Sequence, residues 1–148
     1  PHADQIRQGW RTACLDLGLA AGVTEFDLPD KRSPGFGAAI EEAIQSIQET
    51  ETTAVLVHSD PEAIKLVQRA EERGITVPGQ LSVVSYDDEV AGLSTPTLSA
   101  IRPPRRTIGR TAVTLLAARL ADPGRPVHRV TVSPTLYVRE SSGPPASS

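Results

Sequence analysis

Apolar residues return along this chain in two rhythms, a helical one and a continuous one. In the segment 4–17, Ile6, Trp10, Ala13, Cys14 and Leu17 fall at helical spacing, and Gly18 follows where a left-handed residue commonly ends a helix. Residues 23–26 (Val-Thr-Glu-Phe) alternate like a short strand. The stretch 29–34 is a turn-rich charged loop, after which Phe36, Ile40, Ala43, Ile44 and Ile47 share one helical face. Residues 53–58 (TAVLVH) form a continuous, β-branched run of the kind found in strands covered on both faces. Asp60-Pro61 then opens a helix, with Asp60 as its expected N-cap and Pro61 in its first turn. Ile64, Val67 and Ala70 line the inner side of this helix, and Gly74 closes it. Residues 81–86 (LSVVSY) predict a second buried strand running straight into Asp87-Asp88.

Residues 98–101 predict a short strand ahead of Pro103-Pro104. A long helix is expected over 107–120, with Ile108, Ala112, Leu115, Leu116 and Leu120 turned inward and Asp122-Pro123-Gly124 as its stop. Residues 127–132 and 136–138 predict a final strand pair around Ser133-Pro134. The tail 141–148 holds Ser, Gly, Pro and Ala alone and is expected to be disordered. Helices and strands alternating over short loops predict an α/β fold with a doubly wound parallel sheet. Such a lobe normally opens with a strand, whereas the first element here is a helix, so a lobe lacking its first strand is expected.

The length of 148 residues suits one domain. The net charge of −3 argues against direct nucleic-acid binding, which requires a basic surplus to displace phosphate counterions. Cys14 is the sole cysteine, so no internal disulfide can form, and its apolar neighbours suggest an inert buried thiol in a reducing compartment. No run of about 18 apolar residues predicts a membrane span, and no secretory signal opens the chain. The chain starts at Pro1 and contains no Met, so a longer parent protein is expected.

Ligands of open α/β sheets bind outside the carboxyl ends of the strands. Three of the predicted strand ends carry polar groups: Phe26-Asp27, His58-Ser59-Asp60 and Asp87-Asp88. Asp87 is the leading candidate, since a carboxylate can accept two hydroxyl hydrogen bonds from a sugar or nucleoside; the competing role is a turn cap. Asp88 suits a capping or solvated position. Ser59 fits a ligand contact or an ordinary strand-to-helix turn, and His58 a ligand contact or a structural position. Phe26 fits an aromatic wall for a sugar face or a core position, and Arg7 a cleft contact or a solvated cation. Arg102, Arg105, Arg106 and Arg110 read as a solvated basic face. Catalysis finds no support: no Gly-x-Ser-x-Gly elbow, phosphate-binding Walker loop or His-Glu-x-x-His occurs. No metal site or cofactor is expected.

A series of landmarks resembles the second half of the effector-binding core of LacI/GalR-family transcriptional regulators. These are Ala54-Val55 leading to Ser59-Asp60, Gly74 with Val77-Pro78, Leu81-Ser82-Val83-Val84, and Tyr86-Asp87-Asp88. Pro96-Thr97-Leu98-Ser99, Pro103, Gly109 with Ala112, Pro134 with Leu136, and Arg139-Glu140-Ser141-Ser142 continue the order, and Gly9-Trp10 extends it upstream. Two positions depart from the family: Ser85 stands where Gly is usual, and Arg7 lies one residue closer to Gly9 than the family's effector-binding Arg. The resemblance implies a type I periplasmic-binding-protein-like lobe over residues 1–140, with 103–132 crossing to a second lobe. It implies a small carbohydrate-like effector (sugar, polyol or nucleoside) in a cleft faced by Asp87 and Ser59, to which the residue-by-residue reading above adds His58, Phe26 and Arg7 as candidate contacts. It further implies a cytoplasmic homodimer with Ile64 and Leu93 near the interface, and DNA contact only through a helix-turn-helix absent from these residues. A periplasmic sugar-binding protein of a transporter is the alternative on the same fold.

Overall fold

The computed structural model describes residues 2–19 and 24–144. In chain order they form α1 (His2–Asp16), α2 (Phe36–Glu49), β1 (Ala54–Val57), α3 (Asp60–Glu72) and β2 (Ser82–Tyr86). A 3-10 turn (Ala91–Leu93), β3 (Ser99–Arg102), α4 (Arg105–Ala121) and β4 (Thr135–Tyr137) complete the chain. The sheet order is β1-β2-β3-β4. The first three strands are parallel, matched Val57 to Ser85 and Tyr86 to Ile101, and β4 returns antiparallel to β3.

The core lies between one face of this sheet and the layer formed by α2 and α3. Ile40 and Ile44 of α2 and Leu66 and Val67 of α3 meet Val57, Val83 and Ala100 from the strands. Each buried Ile, Leu or Val side chain of this set contributes roughly 1.5–3 kcal/mol. Alternation across the pleat places Val83 and Ser85 in the core and leaves Ser82, Val84 and Tyr86 half-covered on the other face. Glu41 of α2 accepts from Arg69 Nε of α3 (2.7 Å) and from Arg73, the residue that follows α3. Gly18 and Gly74 follow α1 and α3 at φ 72° and 79°, the left-handed values that end a helix without a Cβ penalty.

Five expectations change. Thr24 to Phe26 form no strand, and Val23 lies outside the described residues. Among the described residues β1 bonds only β2, and residues 24–26 do not take the open side of β1. Residues 127–132 likewise pair with nothing in the sheet, so the expected final pair reduces to β4 alone. The apolar side of α4 is not inward: none of its residues is buried, and Leu120 is 74% exposed. Ser59, not Asp60, is the N-cap of α3, and it makes no side-chain cap bond.

The fifth change concerns the expected tail, which starts later than residue 141. Ser141 is fully buried; its hydroxyl donates to the Val83 carbonyl (2.6 Å) and accepts from the Ser99 amide (2.8 Å). The Gly143 amide donates to Ser82 Oγ at 3.1 Å. These bonds tie the segment to β2 and β3, which its small-residue composition does not disclose. Residues 145–148 lie outside the described set.

Candidate functional site

Parallel pairing of β1 and β2 brings their carboxyl ends to one rim. The register ends at Val57–Ser85, so His58 and Ser59 leave β1 at the same rim where Tyr86 and Asp87 leave β2. The His58 and Tyr86 rings stack with centroids 5.4 Å apart and planes inclined by 30°. The Ser59 hydroxyl donates to the Glu62 carboxylate one turn into α3. Burial, and after it the charge of Asp87, raise the Tyr86 phenol above its ordinary value against the opposing pull of Arg105. Tyr86 is therefore a neutral hydroxyl at physiological pH.

Asp60 begins α3 and turns its carboxylate beneath the loop after β2. Oδ1 accepts from Ser85 Oγ (2.7 Å) and the Asp88 amide (3.3 Å). Oδ2 accepts from the amides of Glu89 (2.6 Å), Val90 (2.9 Å) and Ala91 (3.2 Å). Burial alone would raise the Asp60 carboxyl, yet the bonds from Ser85, Val90, Glu89 and Asp88 hold it below its ordinary value. Asp60 is thus an ionised clamp across two strand ends, where sequence proximity to Pro61 had suggested a helix cap.

Outside this clamp the loop carries carboxylates that meet arginines from the connecting segments. Asp88, with its side chain 2% exposed, accepts from Arg102 Nε (2.7 Å) at the end of β3 and pairs with Arg139 Nη2 (2.8 Å) beyond β4. Arg102 also lies 4.0 Å over the Tyr137 ring of β4. Arg105, in the first turn of α4, reaches Asp87 Oδ1 (3.0 Å) and the Glu89 carboxylate. Asp88 is thus neither cap nor solvated group, and Arg102 and Arg105 are ion-paired, while Arg106 and Arg110 remain on the exposed face.

The carboxyl rim of β1 and β2 carries His58, Ser59 and Asp87 together with Tyr86, which the sequence had not singled out. Arg7 and Phe26 belong to a different group. Arg7 bonds the Asp27 carboxylate and lies 3.6 Å from Glu25, which joins α1 to the loop at 24–27, and Phe26 in that loop is 44% exposed rather than core. Of the two interface candidates, Ile64 packs half-buried on the core while Leu93 is 84% exposed. An open cavity of about 330 Å³ lined by Thr53, Ala54, Ser82, Val138, Ser142 and Gly143 lies at the amino ends of β1 and β2, the opposite rim from Asp87. Among the described residues, no group of three or more His, Cys, Asp or Glu is placed to hold a metal, and no helix is long and apolar enough to cross a membrane. A part-exposed carboxylate, a hydroxyl and a stacked ring pair are equipped to bind a neutral polyhydroxy molecule.

Comparison with known proteins bears on the same residues. The model of the periplasmic binding protein-like domain matches residues 1–142. The ribose operon repressor of Haemophilus influenzae is 36% identical over 101 residues, covering 66% of this chain and 30% of the repressor. The PurR repressor of Pectobacterium atrosepticum is 28% identical over 151 residues, covering 85% of this chain and 44% of its own length. Among solved structures, a LacI-family regulator from Enterococcus faecalis with bound ribose superposes with a TM-score of 0.76 at 25% identity, covering 94% of this chain and 50% of that one. The regulator CelR in complex with cellobiose gives 0.73 at 27% identity over 91% of this chain and 41% of that one. This chain spans less than half the length of the repressors named here, and those relatives are repressors rather than enzymes. Fold, landmarks and relatives agree that the chain belongs to the periplasmic binding protein-like domain family, as part of the effector-binding core of a LacI-family regulator.

Proposed function

We propose that this chain is the ligand-sensing part of a bacterial transcriptional regulator and binds a small sugar, polyol or nucleoside at the rim formed by Ser59, His58, Tyr86 and Asp87. One observation carries the reading: the parallel register of β1 and β2 delivers Ser59 and Asp87 to the same carboxyl rim. The rim is open because its facing wall belongs to a second lobe, toward which residues 103–132 run; the uncovered apolar side of α4 supports that crossing. Effector binding between the lobes biases their relative angle, and with it DNA-binding heads carried elsewhere in a longer cytoplasmic protein. Homodimerisation fits the exposed Leu93. The named relatives are repressors, which favours a regulator over a transporter's sugar-binding protein.

The test is a thermal-shift and calorimetric panel of D-ribose, cellobiose and adenosine, with Asp87→Ala as the control. A ligand whose affinity falls about tenfold or more in the variant matches loss of a charge-assisted hydrogen bond. Unchanged binding in Asp87→Ala removes Asp87 from the site.

A further inference from the structure

Asp87 and Asp88 are consecutive non-glycine residues at φ 104° and 53°. Left-handed backbone is costly for a residue with a Cβ, and it persists where surrounding contacts over-determine it. Those contacts come from Asp60. Its two oxygens collect the amides of Asp88, Glu89, Val90 and Ala91, so the chain leaving the strained pair is bound to a group fixed on α3. Ser85 adds a fifth donor from within β2, at a position where the resemblance leads one to expect glycine. Without this anchor the amides of 88–91 lose their acceptor, and the strained pair keeps only the arginines on its side chains and the hydrogen bond from the Asp87 amide to Ile101.

We infer that Asp60 is a positioning residue for the effector site: its carboxylate, reinforced by the Ser85 hydroxyl, holds the loop 87–91 in the conformation that presents Asp87 to a ligand. The inference rests on the proposed role of Asp87 as the ligand contact. It goes beyond that role by assigning the geometry of the site to a group that no ligand touches. The charge state matters as well as the shape. A carboxylate offers acceptors alone, whereas the isosteric amide of Asn presents an NH2 group to two or three of the five donors, whichever way it faces.

Asp60→Asn and Ser85→Ala, examined by hydrogen exchange in the intact chain, decide the matter. Asp60→Asn is expected to lower the protection of amides 88–91 by about tenfold or more while β1, β2 and β3 keep theirs, as suits buried donors losing their acceptor. Ser85→Ala removes one donor, leaves the apolar core intact and is expected to lower the same protection by a smaller factor, so it carries the test should Asp60→Asn not fold. D-ribose titrations add the functional arm: Asp60→Asn weakens binding about tenfold, and adds nothing further in an Asp87→Ala background, because the two act as one unit. Wild-type protection of amides 88–91 in both variants overturns the inference, and so does an Asp60→Asn effect on ribose affinity that simply adds to that of Asp87→Ala. Ribose binding unchanged by Asp87→Ala overturns the site reading alone, since the exchange pattern is read without ligand.

Discussion

Asp60 concentrates more hydrogen bonds than any other side chain at the strand ends, and its replacement by alanine leaves four amides and a hydroxyl without their acceptor. Loop relaxation rehydrates some of these donors, so the expected loss in urea unfolding at pH 7 is on the order of 3 kcal/mol rather than the sum of five bonds. The pH dependence has a definite sign. Burial works to raise the Asp60 carboxyl, the bonds to it prevail, and the folded value lies below the ordinary 3.8. The stabilisation is therefore complete above pH 3.8 and fades as pH falls through the lower folded value. Glu140, lowered by its bonds from the Thr97 amide and hydroxyl, adds to the same acid limb. Asp60→Asn should flatten the wild-type decline measured by denaturation from pH 5 to pH 2, and an identical decline in the variant would exclude Asp60 as its source. Little of this was legible beforehand, because the donors to Asp60 lie up to 31 residues downstream. Local sequence offered Ser59 and Pro61, hence the helix-cap reading. Asp88 hid its ion pairs for the same reason: Arg102 and Arg139 come from β3 and from beyond β4.

Helices α2 and α4 show how far an amphipathic pattern reaches. Both repeat apolar residues at helical spacing, and both form. The Ile44 side chain of α2 is fully buried, whereas no residue of α4 is. Periodicity announces that a face wants a cover; it does not say that the cover lies within the same chain. Ile44→Ala is accordingly expected to cost about 2–5 kcal/mol through lost burial and a residual cavity. Leu116→Gln should change stability by no more than about 0.5 kcal/mol, as an exposed substitution. Equilibrium denaturation of the two variants checks both, and a destabilising Leu116→Gln would place α4 in the core. Among strands the same limit applies. The runs of β1 and β2 were readable from their consecutive β-branched and apolar residues, although the expected cover on both faces is not found: β1 goes from exposed Ala54 to buried Val57, and β2 is fully buried on one face alone. Residues 24–26 and 127–132 have strand composition and pair with no strand, because pairing is not a local property. The candidate site inherits this division, since its strand-end members were visible and its arginine and Asp60 supports were not.

At the scale of the molecule, surface area shows what the elements imply. A compact monomer of this mass has an accessible surface of about 7,300 Å² by the usual scaling, whereas the chain exposes 9941 Å². The excess is comparable to what a substantial protein interface removes from water. It includes the apolar side of α4, where Val113, Leu116 and Leu120 are exposed, and an outer edge of β1 that no strand among the described residues covers. An apolar helix face and a free strand edge both favour association, the first by burial and the second by hydrogen bonding. The chain studied alone should therefore self-associate with rising concentration, seen as an increasing weight-average mass in sedimentation equilibrium. The joint change Leu116→Gln with Leu120→Gln should shift that isotherm toward monomer while leaving the unfolding transition in place. Leu93→Ser instead tests the face proposed for homodimerisation, and the two variants separate contact through α4 from contact near the 3-10 turn. A single monomeric species from micromolar to near-millimolar concentration would mean that the exposed α4 face and β1 edge are tolerated by water, and would remove the physical support for a second lobe covering them.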